Sequence, residues 1–241
     1  MKIVAIIPAR YNSSRFPGKP LADICGKPMI WWVYQSVSKV CEIATVIVAT
    51  DNTKIMDECE KYSIPSIMTS SKNKTSTERA YEVALQIPSD LYIVVNGDEP
   101  LIAPQVIQSI IPSEKPYEMY VGNLMSRITN PSEVIDFTNI KVVTDHLGNA
   151  LLFSRSPIPY PKSSLNYDYY KHVGVLIYDL AALKFFTETS PGPIEKIEDI
   201  NELRFLEHGI KIKMTKVVSN SLSVDTPKDL EYVIKCISKS H

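Results

Sequence analysis

A three-layer α/β fold built on a mostly parallel sheet is the architecture that this 241-residue sequence predicts. Three observations point to it. Short, almost unbroken apolar runs rich in β-branched residues recur through the first half of the chain, as strands covered on both faces require. Segments of helical spacing separate these runs, so that each strand leads into a βαβ crossover, right-handed by strong default. Hydrophobic residues make up 44% and charged residues 22%, values of a folded chain rather than a disordered one, and the length is enough for a substantial core.

The elements follow in order. Ile3 to Ile7, Thr45 to Ala49 and Tyr92 to Val95 are expected as buried strands, and Pro28 to Val40, Thr53 to Tyr62 and Thr77 to Gln86 as helices among them. Asp51, Asn52 and Thr53 offer N-cap side chains to the second helix, whereas Thr77 followed by Ala80 makes no capping box for the third. Tyr117 to Met125, Ile140 to Thr144 and Ala150 to Ser154 read as strands, the last two joined by a turn from Asp145 to Asn149. The prolines Pro157, Pro159 and Pro161 exclude a helix or a central strand there. His172 to Tyr178 reads as a strand and Leu180 to Thr187 as a helix. A helix from Ile197 to Glu207, a strand from Ile210 to Val217 and a helix from Pro227 to Ile237 complete the chain. With no repeat and no linker, residues 1–241 are expected as one domain with a less regular insert near 150–175.

Composition excludes several classes of function. With 26 basic and 27 acidic residues the net charge is −1, which argues against a general nucleic-acid or membrane-surface binder. None of the 8 glycines is spaced as G-x-G, so the dinucleotide fingerprint and the Gly-rich phosphate loop are both missing, and a nucleotide-cofactor oxidoreductase is disfavoured. Cys25, Cys41, Cys59 and Cys236 form neither a disulfide framework nor a zinc spacing, and each is expected as a small buried hydrophobe. The apolar run ended by Pro8 is too short for a signal-peptide core or a membrane span, which leaves a reducing cytoplasm as the expected compartment.

Three segments carry chemistry. The first, from Pro8 to Lys19, follows the first strand and holds Arg10, Arg15 and Lys19 with Ser13 and Ser14 between them and no acid. Ligands of open α/β sheets bind beyond the carboxyl ends of the strands, and arginine forks with a mobile lysine suit a polyphosphate there. Gly18 allows the tight bend that such a loop needs. The second segment, from Asn96 to Pro100, puts Asp98 at the end of another apolar strand, where a carboxylate is placed to hold a magnesium ion against phosphates. As a cap for a helix starting near Pro104, Asp98 stands too far upstream. The third segment is Val224 to Leu230. Here Asp225 and Thr226 before Pro227 make a standard helix start, and on residue chemistry alone Asp225 reads as a cap more readily than as a metal ligand.

Taken in order, IIPARYNSSRFPGKPL, GKPM at Gly26, TERA at Thr77, GDEPLI at Gly97, FSRSPIPYP at Phe153, HVG at His172, ELRFLEHG at Glu202 and VDTPKDLEYV at Val224 span nearly the whole chain. The ordered set resembles the CMP-KDO synthetase family, the 3-deoxy-manno-octulosonate cytidylyltransferases. The resemblance implies a Rossmann-like sheet of the nucleotide-diphospho-sugar transferase type. It also implies an enzyme that joins CTP to an acidic sugar with the help of Mg²⁺ and releases pyrophosphate. Family members are usually homodimers, and the irregular segment around Ser156 to His172 is the implied dimer region. Pro8, Ala9, Arg10, Ser13, Ser14, Arg15, Lys19, Thr69 and Ser70 become the nucleotide-binding set. Lys19, Arg10, Arg15, Asp98 and Asp225 become catalytic, with Asp98 and Asp225 holding the metal. The resemblance thus turns Asp225 from cap into ligand. Arg79, Asn96, Arg155, His172, Leu176, Asn201 and Glu202 become the acceptor-binding set, His172 as a binding residue rather than a general base. Trp31, Trp32, Tyr167, Tyr169 and Tyr170 are assigned to the core or a dimer contact.

Departures from the family pattern fall where the sugar is contacted. The usual His-x-Ser-Gly-Thr-Glu-Arg is Asn73 to Arg79 here, with Asn73 for histidine and Ser76 for glycine. Asn96 replaces a glutamine, Leu176 a tyrosine, and Asn201-Glu202 a Glu-Gln pair. A site built around a hydroxyl rejects analogues that leave its partners unpaired, so these exchanges favour an altered anionic acceptor: another ulosonic acid, an amino-substituted sugar acid, or a small phosphonate or carboxylate. Drift within a KDO enzyme is the other reading. A non-catalytic nucleotide-binding protein on the same fold is a further alternative, against which the retained pair Asp98 and Asp225 weighs.

Overall fold

The computed structural model describes residues 1–12, 16–164, 166–219 and 221–239. Its elements run, in chain order, β1 (Ile3–Ala9), β2 (Asp23–Ile24), β3 (Lys27–Pro28), α1 (Met29–Val37), β4 (Thr45–Thr50), α2 (Thr53–Lys61), β5 (Ser66–Met68), α3 (Ser76–Gln86), β6 (Leu91–Val95) and α4 (Pro104–Gln108). There follow β7 (Val121–Arg127), α5 (Ser132–Ile135), β8 (Lys141–Thr144), β9 (Ala150–Ser154), β10 (Tyr170–Tyr178), α6 (Leu180–Glu188), α7 (Pro193–Glu198), α8 (Leu203–Glu207), β11 (Lys213–Val217) and α9 (Pro227–Ser238).

Neighbouring strands of the main sheet run β11-β7-β10-β6-β1-β4-β5, with the β8–β9 hairpin attached through β10. Within that row only β10 is antiparallel to its neighbours β6 and β7; the other pairs are parallel. Side chains alternate between two cores. Ile3, Ala5 and Ile7 pack with Ile30, Val33 and Val37 of α1, with Ile55 of α2 and with Ile107 of α4. Val4 and Ile6 face Ala80, Val83 and Ala84 of α3 and Leu183 and Phe186 of α6. Each buried aliphatic side chain contributes about 1.5–3 kcal/mol, and both faces of the sheet are covered, hence the continuous apolar runs. In a third cluster α9 returns to the start of the chain, Val233 and Ile237 lying against Ile24 and Met29.

Several boundaries differ from the expected ones, each for a local reason. Helix α1 begins only after Pro28, which stands at the N-cap, and stops at Val37. A capping box does open α3, two residues before Thr77: Thr75 Oγ1 accepts from Glu78 N–H and the Glu78 carboxylate accepts from Thr75 N–H, both at 3.1 Å. The helix expected from Ile197 to Glu207 is two helices, because Asp199 at φ 52° ends α7 in the left-handed region. The strand expected from Tyr117 starts at Val121, and the one expected from Ile210 starts at Lys213. The stretch between β9 and β10 carries no helix or strand among its described residues, while β9 and β10 themselves belong to the sheet. Of the cysteines only Cys59 is buried, with its thiol pushed up to about 11 by burial, whereas Cys25 and Cys41 are exposed. Among the described residues no helix is long and apolar enough to cross a membrane.

Candidate active site

Parallel strands deliver their C-terminal ends to one edge of the sheet, and a cleft of about 660 Å³ opens there. Strand β1 contributes Pro8 and Ala9 and leads into Arg10, and β6 runs into Asn96, Gly97 and Asp98. Strand β10, running the other way, brings His172 near its start and Leu176 to the same edge, since Val175 pairs with Val95. Gly174 makes this close approach available: a Cβ there would overlap Glu99 and the Asn96 amide.

The basic loop is closed by a hydrogen bond from Gly18 N–H to Tyr11 O at 2.8 Å, with Gly18 at φ +72°. The next residue is Lys19, whose ammonium lies 2.7 Å from Asp98 Oδ2 and 3.3 Å from Asp225 Oδ1. Asp225 reaches this place because Val224 N–H donates to Asp98 O at 2.9 Å. It is not the cap of α9. That part is played by Thr226, which exchanges a capping box with Asp229. The Arg10 guanidinium donates to Lys74 O at 2.9 Å and so ties the first loop to the entry of α3.

Arg79 lines the cleft from a fully buried position. Its Nη2 pairs with Asp51 Oδ2 at 2.9 Å and its Nη1 donates to Thr69 Oγ1, so its charge is held by partners below the cleft floor. Ile200, Asn201 and Glu202, in the turn before α8, line the same cleft. Next to Asp98, Glu99 accepts from Gly174 N–H at 2.8 Å and from Ser221 Oγ at 2.7 Å, and burial pushes its carboxyl up to about 7. Burial pushes the imidazole of His172 down from its ordinary value.

Of the residues singled out in the sequence, the cleft brings together Pro8, Ala9, Arg10, Lys19, Arg79, Asn96, Asp98, His172, Leu176, Asn201, Glu202 and Asp225. Thr69, Ser70 and Arg155 do not line it. Thr69 supports Arg79 from beneath, and Ser70 N–H is bound by the Glu82 carboxylate. Arg155 directs Nε to Glu198 O at 2.6 Å, Nη1 to Phe137 O at 3.1 Å and Nη2 to Asp199 O at 3.0 Å. Ser13, Ser14 and Arg15 lie outside the described residues. Sequence reasoning missed Asn12, Lys74, Thr75 and Asp199, all of which line the cleft, and had Ser76, which also lines it, only as a departure from the family pattern. The capping pair Thr75 and Glu78 was the available signal, since it puts the start of α3 at the mouth of the cleft.

A divalent cation fits the carboxylates present. Asp98 Oδ1 is buried without a hydrogen-bond partner, the kind of hard oxygen donor that a magnesium ion takes. Among the described residues no group of three or more His, Cys, Asp or Glu side chains is gathered for a metal.

Known proteins resemble this chain in sequence and fold. A 3-deoxy-manno-octulosonate cytidylyltransferase of Geobacter metallireducens is 40% identical over 99% of both chains, and one of Solibacter usitatus is 37% identical over 99% of this chain and 96% of its own. The structure of a CMP:2-keto-3-deoxy-manno-octonic acid synthetase complexed with CTP covers all of both chains at a TM-score of 0.95 and 36% identity. A 4-diphosphocytidyl-2C-methyl-D-erythritol synthase from Anaerococcus prevotii, 16% identical with a TM-score of 0.64 over 98% of this chain and 96% of its own, shares the fold alone. Residues 4–212 match the cytidylyltransferase family model, and with full-length relatives at this identity the chain belongs to the cytidylyltransferase family.

Proposed function

We propose that the protein transfers CMP from CTP to 3-deoxy-manno-octulosonate or a closely related sugar acid, releasing pyrophosphate. One observation carries the reading. A single cleft holds the Lys19–Asp98–Asp225 cluster at the strand ends together with the polar side chains of His172, Asn201 and Glu202. The names of full-length relatives at about 40% identity supply the nucleotide and the acid.

The chemistry asks the protein for positioning and charge neutralisation more than for covalent help. An acceptor hydroxyl oxygen attacks the α-phosphorus of CTP, the bond to the pyrophosphate oxygen breaks, and the hydroxyl proton leaves to solvent. Arg10 and Lys19, with Arg15 of the same loop, neutralise charge on the phosphates and on the leaving group. Backbone groups of Pro8 and Ala9 border the nucleotide at the end of β1, with Ser13 and Ser14 in the same loop and Thr69 and Ser70 behind it. Asp98 and Asp225 would hold Mg²⁺, which supplies Lewis-acid stabilisation of phosphate oxygens when bound. Asn96, His172, Leu176, Asn201 and Glu202 surround the acceptor, Arg79 backs it from a buried place with its charge paired to Asp51, and Arg155 supports that wall. A homodimer through the insert near 150–175 is supported by the exposure of Leu151, Tyr160 and Tyr167. The cytoplasm, where CTP is made, is the matching compartment.

One observation favours an amino-substituted sugar acid as a second acceptor. Asp199 and Glu202 both line the acceptor wall, and two carboxylates there suit an ammonium group better than a hydroxyl alone. Pyrophosphate release from CTP and Mg²⁺ is to be measured with 3-deoxy-manno-octulosonate, its amino-substituted analogues and small phosphonates in parallel. Turnover with the octulosonate at an ordinary enzymatic kcat/KM supports the first reading; turnover confined to an amino-substituted sugar acid supports the second. No release with any acid overturns both.

A further inference from the structure

Asn123 lies fully buried on β7, beneath a bulge of β10 where the register slips between Val173 and Leu176. The bulge turns two carbonyls toward one side chain, and Asn123 Nδ2 donates to both Val173 O and Val175 O at 2.9 Å. An amide nitrogen with both hydrogens so engaged settles which end of the side chain is oxygen. Oδ1 therefore faces Nδ1 of His172, 3.0 Å away. That oxygen only accepts, so the hydrogen of the contact sits on Nδ1. A neutral imidazole carrying its hydrogen on Nδ1 has its lone pair on Nε2, and His172 lines the acceptor side of the cleft. Burial, which disfavours the imidazolium, works in the same direction.

We propose that Asn123 is a positioning residue that holds His172 as the Nδ1–H tautomer, so that Nε2 accepts a hydrogen bond from a hydroxyl of the bound sugar acid. This rests on the acceptor reading above and deepens it by giving the site a direction. A donor group is welcomed at Nε2, whereas a carboxylate or ketone oxygen placed there meets a lone pair and is rejected. The acid group of the substrate therefore turns away from His172, toward the basic side chains of the cleft.

Long-range proton–nitrogen spectra of the full chain labelled at histidine test the idea, with His172→Gln identifying the resonances. The expected wild-type pattern at neutral pH is a pyrrole-like Nδ1 and a pyridine-like Nε2, with Nε2 moving upfield when 3-deoxy-manno-octulosonate is added. A wild-type ring protonated on Nε2 overturns the proposal, as does an Nε2 that the sugar acid leaves unmoved in an enzyme that turns it over. Asn123→Ala should erase the tautomer preference and raise the acceptor KM about tenfold while the CTP KM stays put. The same variant with tautomer and KM both unchanged overturns the assignment of Asn123. Should that variant fail to fold, the wild-type spectra decide. An Nδ1–H ring in an enzyme inactive toward the octulosonate would overturn the acceptor reading, not the Asn123–His172 relationship.

Discussion

Lys19 and Asp98 meet at 2.7 Å, and the same ammonium reaches Asp225 at 3.3 Å, so one cation joins carboxylates from the middle and the end of the chain. Lysine carries its charge on a flexible stem and serves as a movable point charge, so Nζ is free to shift between carboxylate and phosphate as the cleft fills. Lys19→Met is expected to lower kcat/KM for CTP by about 10²-fold or more, as loss of a preorganised charge contact does. Circular dichroism should show an unchanged fold, because the aliphatic stem is retained. Activity within a few-fold of wild type would remove Lys19 from the catalytic set.

Asp225 and Thr226 are neighbours with separable duties, and paired variants test that separation. Thr226 caps α9 and Asp229 completes the box, whereas the Asp225 carboxylate faces Lys19. Asp225→Asn should nearly abolish turnover and leave the melting temperature close to wild type. Thr226→Ala should do the reverse, costing about 1 kcal/mol of stability in denaturant titrations and leaving kcat largely intact. If Asp225→Asn remains active, the carboxylate has no part in the chemistry.

What the sequence made legible, and what it hid, divides along a physical line. Strands β1, β4 and β6 were readable because burial on both faces writes itself into every residue of the run. Lys19 and Asp98 were readable because strand ends fix where their loops open. The left-handed Asp199 was not. Arg155 holds the carbonyls of Glu198 and Asp199, and its own N–H is held by the Glu198 carboxylate at 2.9 Å. That tether joins two distant parts of the chain, and no local propensity reports it. Arg79 was assigned to the acceptor through the resemblance, but its pairing with Asp51 and Thr69 depends on how α3 packs over β4 and β5. The cap role of Thr226 rather than Asp225 was hidden for a simpler reason: adjacent capping residues look alike until the helix register is known.

The half-buried imidazole of His172 gives stability a pH dependence of definite sign. Its folded-state value lies below the ordinary 6.5, with burial as the main cause, offset in part by the charges of Glu202 and Asp98. As pH falls below 6.5 the unfolded chain takes up a proton that the folded chain refuses, so stability is present above that pH and lost below it. The slope from one such group is at most about 1.4 kcal/mol per pH unit. Glu99, with its carboxyl pushed up to about 7, acts with the opposite sign over the same range, so the contribution of His172 is read as a difference: in denaturant titrations from about pH 5 to pH 7.5, His172→Gln should gain stability relative to the wild type as pH falls. Parallel profiles for the two proteins would show that His172 titrates alike in the folded and unfolded chains.

Arg155 provides the last expectation, and it concerns geometry rather than charge. Its guanidinium spreads three N–H bonds over the carbonyls of Glu198, Asp199 and Phe137, and Ser154 Oγ holds the Glu198 carboxylate at 2.6 Å. The residues so restrained lead directly into Ile200, Asn201 and Glu202 on the acceptor wall. Lysine keeps the charge but lacks the planar fork, so Arg155→Lys leaves at least one carbonyl without its partner. The wall should then loosen while the basic loop keeps its shape. The acceptor KM is expected to rise about tenfold, the value of a lost charge-assisted hydrogen bond, with the CTP KM within about twofold of wild type. A direct contact between Arg155 and the acid predicts a different outcome: Arg155→Lys would then retain most of the affinity, because an ammonium still pairs with a carboxylate. Steady-state kinetics with each substrate varied in turn separates the two, and equal rises in both KM values would exclude either role.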